Sequence, residues 1–154
     1  MTPTPSPASY ANELKLGSRV IIEALGEYTS SATSIPTLIL SLWYGSTGTV
    51  LAAAPAQTAS ASQTSNPWHV SWNGFVTAVG TAGAIYGHGI LDWGTTLTAW
   101  TPFAMPTTAA ARSVTIDTTI LKTWGIAGTW SSTTAGNTAR CDVFNVQILN
   151  QGTT

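Results

Sequence analysis

Charge is what this chain has least of. Lys, Arg, Asp and Glu make up 7% of its 154 residues, against roughly 25% in an ordinary soluble domain. Five basic and six acidic side chains give a formal net charge of -1. Nothing basic enough to neutralise a row of phosphates is present, which excludes a nucleic-acid backbone as partner. Cysteine is reduced to one residue, Cys141, so no internal disulfide can form, and its place in an alternating apolar run reads as a buried thiol. No apolar run approaches the ~20 residues of a membrane-spanning helix, because Ser, Thr and Gly interrupt each one. The opening MTPTPSPAS has neither the basic nor the apolar segment expected of a signal peptide.

Motifs that carry chemistry are missing too. There is no G-x-S-x-G elbow to place a nucleophile, no H-E-x-x-H, no paired cysteines and no calcium-binding loop. His69 and His88 are the only imidazoles. His88 and Asp92 would face each other at i,i+4 only on a helix, and Gly87, Gly89 and Gly94 argue against one there. The histidines therefore read as hydrogen-bonded structural residues, and the expectation is a protein without catalytic residues, cofactor or metal.

Thr, Ser, Gly and Ala take the place of charge, with an ordinary 44% of hydrophobic residues. Such a surface can be covered by neighbouring subunits without stripping water from many ions. The length suits one domain. Pro3, Pro5 and Pro7 prevent a regular helix or ladder and predict an extended arm, a candidate attachment segment, over residues 1–13. The folded domain is expected over 14–150 and a short tail over 151–154.

Within the domain the apolar period is two. RVIIEALGEY, Arg19 to Tyr28, can also be drawn as a helix, but its β-branched cluster and Gly26 favour a strand. TLILSLWY, Thr37 to Tyr44, places Leu38, Leu40, Leu42 and Tyr44 on one side between Pro36 and Gly45, and a hairpin to Thr49–Ala52 follows. After a low-complexity stretch over residues 53–66, PWHVSWNGFVTAVG alternates Trp68, Val70, Trp72, Gly74 and Val76 with polar neighbours. Gly74 marks a bulge or a point where an aromatic crosses the backbone. AIYGHGILDWG gives a further strand, the two prolines of TTLTAWTPFAMPTTAAAR suggest an excursion between strands, and SVTID, LKTWGIAGTW and ARCDVFNVQIL supply three more. About eight strands without a convincing helix predict an all-β antiparallel β-sandwich of jelly-roll type, with an up-and-down barrel as the alternative.

Trp68, Trp72, Trp124, Trp130 and Phe144 fall on mixed aromatic and aliphatic faces, which makes them candidates for the core or a subunit interface. Trp124, Ile126 and Trp130 are expected to pack against Phe144, Val146 and Ile148, with SSTTAGNT joining the two strands antiparallel. Aromatics left on a Thr- and Asn-rich surface would instead offer a platform for glycans.

The segments NELKLGSRVIIEALGEYTSSATSIPTLILSLWYG, PWHVSWNGFVTAVGTAGAIYGHGILDWG and TWSSTTAGNTARCDVFNVQILN together resemble small β-rich virion proteins of tailed bacteriophages, a group of capsid-decoration, minor structural and tail-associated proteins. The likeness spans about residues 10 to 150. It lies in pattern: a glycine-led strand at Gly17 to Thr29, a P-T-L-x-L strand and glycine turn at Pro36 to Gly45, and a polar bridge at Gly136 to Cys141 before a cysteine-containing last strand. The resemblance implies a non-enzymatic structural component of the virion, assembled in the host cytoplasm. It would be present in repeated copies as a homo-oligomer, with a closed trimer as the leading form, and would contact the major capsid protein or other virion proteins. Host-glycan adhesion from the tail is the alternative.

Overall fold

The computed structural model describes residues 8–33, 35–45 and 48–150. Pro3, Pro5 and Pro7 lie outside the described residues. The described part is all-β, with eleven strands: β1 (Ala8–Ser9), β2 (Arg19–Thr29), β3 (Thr37–Tyr44), β4 (Thr49–Ala53), β5 (Gln57–Thr58), β6 (Asn66–Ala78), β7 (Gly83–Gly94), β8 (Trp100–Met105), β9 (Ser113–Ile116), β10 (Lys122–Trp130) and β11 (Thr138–Leu149). One 3₁₀ turn, Ala110–Arg112, precedes β9.

All pairings are antiparallel, and they make two open sheets. The smaller runs β1-β10-β3-β4 with β5 also against β3; the larger runs β11-β2-β6-β7-β8 with β9 also against β7. Neither closes on itself, so the barrel alternative does not hold. The pairings nest: β2 with β11, β3 with β10, and β6 with β7. The outermost and innermost of these pairs lie in the large sheet, and β3 with β10 lies in the small one.

Alternation decides which side chains face the interior. Val20, Ile22, Ala24 and Tyr28 of β2, Leu38, Leu40, Leu42 and Tyr44 of β3, Trp68, Val70, Trp72 and Val76 of β6, and Trp124 and Ile126 of β10 are at most 2% exposed. Several of the aromatics lie flat against glycine. A Cβ on Gly74 would sit 2.2 Å from the Trp72 ring, and one on its cross-strand partner Gly87 2.1 Å from the same ring. Gly26, opposite Trp68 in the ladder, would place a Cβ 2.4 Å from that indole. The aromatic expected to cross Gly74 is thus Trp72, two residues back on the same strand.

Tyr28 joins the C-terminal ends of β2 and β7 across β6. Its ring stacks on Trp93 at 4.0 Å and 11°, and its hydroxyl donates to the Gly94 carbonyl at 3.0 Å. Burial pushes its pKa above the ordinary tyrosine value.

Four features differ from the sequence expectations. Residues 100–105 form a strand, because β8 is an edge: Pro102 pairs with Asp92 on β7 and, among the described residues, has no strand on its other side to miss its N–H. Ala8 and Ser9, expected within the arm, pair with Thr123 and Lys122. β10 and β11 are not neighbours in one sheet but belong to opposite sheets, so Trp130 and Phe144 both reach the core from facing layers. Finally, a bulge between Cys141 and Val143 breaks the strict alternation of β11. It brings Ala139 and Cys141 to the same inner side as Phe144, Val146 and Ile148, all half-buried against the core, and sends Arg140 and Val143 outward.

The half-buried Cys141 thiol donates to the Val143 carbonyl at 3.2 Å. Burial, with the neighbouring Asp142 charge adding to it, pushes its pKa up to about 11. The thiolate is the reactive form, so alkylation by iodoacetamide should be slow at pH 7–9 and accelerate as the pH approaches 11. A half-maximal rate already near the ordinary thiol pKa of about 8.5 in a rate–pH profile would show the thiol to be unperturbed.

Replacing Trp72 by Ala should cost about 3–5 kcal/mol, and Gly87→Ala about 1–3 kcal/mol by pushing a methyl into the indole. Phe144→Ala, on a half-buried edge position, should cost distinctly less than Trp72→Ala. Denaturant unfolding of the three variants gives the ranking.

Candidate functional site

The inward fixing of Trp68, Val70 and Trp72 leaves His69 and Ser71 no choice but the outer face of the large sheet. β2 and β7 flank β6, and their registers set Glu23 opposite Ser71 and Asp92 opposite His69. The four side chains form one network across three strands. His69 Nε2 lies 2.7 Å from Glu23 Oε2 and its Nδ1 3.3 Å from Asp92 Oδ2. Ser71 Oγ donates to the other Glu23 oxygen at 2.7 Å. Glu23 therefore has both oxygens engaged, whereas Asp92 Oδ1 has no hydrogen-bond partner among the described residues. The side chains of His69, Glu23 and Asp92 are 30%, 38% and 36% exposed, so the imidazole is held between its carboxylates within reach of solvent.

Beside this network lies an open cup of about 410 Å³ lined by Leu25, His69, Asp92 and Trp100. Trp100 begins β8 opposite Gly94 and falls on the same face as Pro102 and Asp92. Its ring N–H donates to the Leu97 carbonyl at 3.2 Å, leaving the half-exposed ring face as its available surface. A second hollow of about 270 Å³ lies further along β7 and β8, lined by His88, Ile90, Phe103, Pro106 and Arg112 among others. His88 does not meet Asp92: both stand on the outer side of β7, separated along an extended strand. Among the described residues no group of three or more His, Cys, Asp or Glu side chains is arranged to hold a metal ion.

The chemistry of the network is that of a fixed hydrogen-bonding surface. Ser71 is directed to Glu23, and His69 has both ring nitrogens turned to carboxylates.

The candidate aromatics are distributed differently. Trp68, Trp72 and Trp124 lie in the core at 1% exposure, and Trp130 and Phe144 are half-buried against it. The aromatic surface of the large sheet is made instead by Phe75, Tyr86 and Trp100, each a little over 40% exposed. Sequence reasoning passed over Glu23, Leu25, Ser71 and Trp100. Alternation already placed His69 and Ser71 together, but pairing them with Glu23 and Asp92 needs the register, and the β6–β7 register shifts at Val76/Ala78.

The outer faces of the two sheets differ in charge. On the large sheet stand Arg19, Glu23, Glu27, Asp92 and Arg140, with Arg140 paired to Glu27 at 3.2 Å and to Asp142 at 2.6 Å. On the small sheet the outward strand positions are Thr37, Ile39, Ser41 and Trp43 of β3, Thr123, Gly125, Ala127 and Thr129 of β10, and Val50 and Ala53 of β4. None is ionisable.

No protein-family model matches the sequence, no curated protein matches it, and no solved structure matches the fold.

Because each member of the His69 network is about a third exposed, its contribution to stability should be small. A double-mutant cycle on Glu23→Gln and His69→Ala should return a coupling of no more than about 1 kcal/mol. A coupling of several kcal/mol in urea unfolding would make the network a structural clamp.

Proposed function

We propose that this protein is a non-enzymatic structural component of a tailed-bacteriophage particle, acting as a capsid decoration protein that stabilises the head through many repeated protein–protein contacts. The observation that carries the reading is the division of charge between the two outer faces. A face whose outward strand positions carry no ionisable side chain can be covered at low desolvation cost, while the charged face keeps the other side hydrated. The resemblance to small β-rich virion proteins supplies the setting, and the nested pairing of β2 with β11, β3 with β10 and β6 with β7 supports a jelly-roll-type reading of the sandwich.

In this reading the outer face of the small sheet docks on a neighbouring copy or on the major capsid protein, and the copies form a closed trimer. An interface of ordinary size removes roughly 1,600 Å² from water. Repetition over a shell multiplies such contacts, so no single one has to be strong.

The double variant Ala127→Lys/Thr129→Lys places two charges on the docking face. It should lower incorporation into particles by at least about tenfold, since an unpaired charge buried at an interface costs several kcal/mol, while its melting temperature stays near that of the parent. Asn145→Lys, on the large sheet, should incorporate normally. Quantitative mass spectrometry of purified particles, with imaging to locate the copies, is the test. Absence of the parent protein from mature particles would sink the assignment, and location on the tail would replace decoration by a tail-associated role.

A further inference from the structure

We propose that the cup formed by Trp100, Leu25, His69 and Asp92 is a binding site for a neutral saccharide. The inference goes beyond the assembly role and does not depend on it, since the cup lies on the face of the sandwich opposite the charge-free one.

Each wall of the cup asks for a different part of the same ligand. Trp100 has its ring N–H committed to the Leu97 carbonyl and offers an apolar ring face at 44% exposure. Leu25, 43% exposed, adds a second apolar wall. These surfaces fit the C–H face of a pyranose ring, which is apolar and flat enough to stack on an indole. On the polar side, Asp92 Oδ1 is an uncommitted acceptor, while Oδ2 is held by His69 at 3.3 Å. Charge-assisted hydrogen bonds of this kind are roughly twice as strong as neutral ones, and a sugar hydroxyl is the donor they suit. The cup's volume of about 410 Å³ falls in the range of small-ligand sites, about 300–1,000 Å³.

The arrangement is held ready in advance. Glu23 holds His69 Nε2 at 2.7 Å and is itself held by Ser71 at 2.7 Å, so the imidazole cannot turn away from Asp92 without breaking a second contact. The Asp92 carboxylate is thus oriented before any ligand arrives, which lowers the ordering cost of binding. Among the groups that line the cup Asp92 is the one carboxylate, and Leu25 and Trp100 are apolar, so the lining suits a ligand that presents mostly C–H surface and hydroxyl groups. Aromatic walls and hydrogen-bonding carboxylates also occur in sites for amines, so the cation is the comparison that the test must contain.

The experiment is a titration of the full chain, ¹⁵N-labelled, with the methyl glycosides of glucose, galactose, mannose, rhamnose and N-acetylglucosamine, and with cadaverine as the cationic control. The indole N–H resonance of Trp100 is identified by its loss in Trp100→Phe. Saturable movement of that resonance with at least one glycoside is expected. Affinity, read in the variants from the backbone amide resonances of Leu25, His69 and residue 92, should fall about tenfold or more in Asp92→Asn and in Trp100→Ala, with the remaining indole resonances of both variants unchanged as a check on folding. Absence of saturable shifts with every glycoside, each titrated to its solubility limit, would overturn the proposal. So would a response to cadaverine alone, or full affinity retained in the folded Trp100→Ala protein. Incorporation into particles is read separately, so loss of one result leaves the other standing.

Discussion

The structure depends on tryptophans laid flat against glycine backbone. Trp72 covers the cross-strand pair Gly74 and Gly87, and Trp68 covers Gly26. An indole can lie this close to its own sheet only where the residues beneath it lack a Cβ, so the positions of large and smallest side chains are mutually fixed. Because side chains alternate along a strand, turning Trp68 and Trp72 inward turns His69 and Ser71 outward. The polar network on the surface is a consequence of how the core is packed beneath it.

This packing carries a cost. The ring N–H groups of Trp68, Trp72, Trp93 and Trp124 are buried without a hydrogen-bond partner among the described residues. Each unpaired donor costs about 1–3 kcal/mol. A buried aromatic side chain removes about 150–250 Å² from water, and at roughly 25 cal/mol per Å² that is about 4–6 kcal/mol in favour of folding. Burial wins at each position, by less than the size of the ring alone suggests. Tyr28 avoids the penalty, because its hydroxyl reaches the Gly94 carbonyl at the sheet's end.

Most of the strands were legible from alternation alone, and Thr37–Tyr44 matches to the residue. The apolar period of two survives because both sheets have one dry and one wet face. What alternation could not supply was the partner of each strand. β10 and β11 are adjacent in sequence yet lie in different sheets, since SSTTAGNT crosses from one sheet to the other instead of turning a hairpin. Pro102 hid β8, because a missing N–H rules out a central strand but not an edge. The bulge at Cys141/Val143 moved Arg140 and Cys141 to sides opposite those that strict alternation assigns. The candidate site was illegible for the same reason: its residues come from β2, β6, β7 and β8, and only the registers bring them together.

That bulge has a further consequence, for the chain in solution before it joins anything. β11 is the outermost strand of the large sheet and has no strand partner on its far side among the described residues, the kind of edge along which sheets fuse into insoluble fibres. A protein with a formal net charge of -1 has little long-range repulsion to keep such edges apart. The extra residue twists the strand locally and spoils a continuous ladder, and it does so beside Arg140 and Asp142, where ions would have to be stripped of water for a second edge to approach. Protection against fibre growth is thus built into the geometry of one strand, in a molecule whose composition offers almost no other means of supplying it.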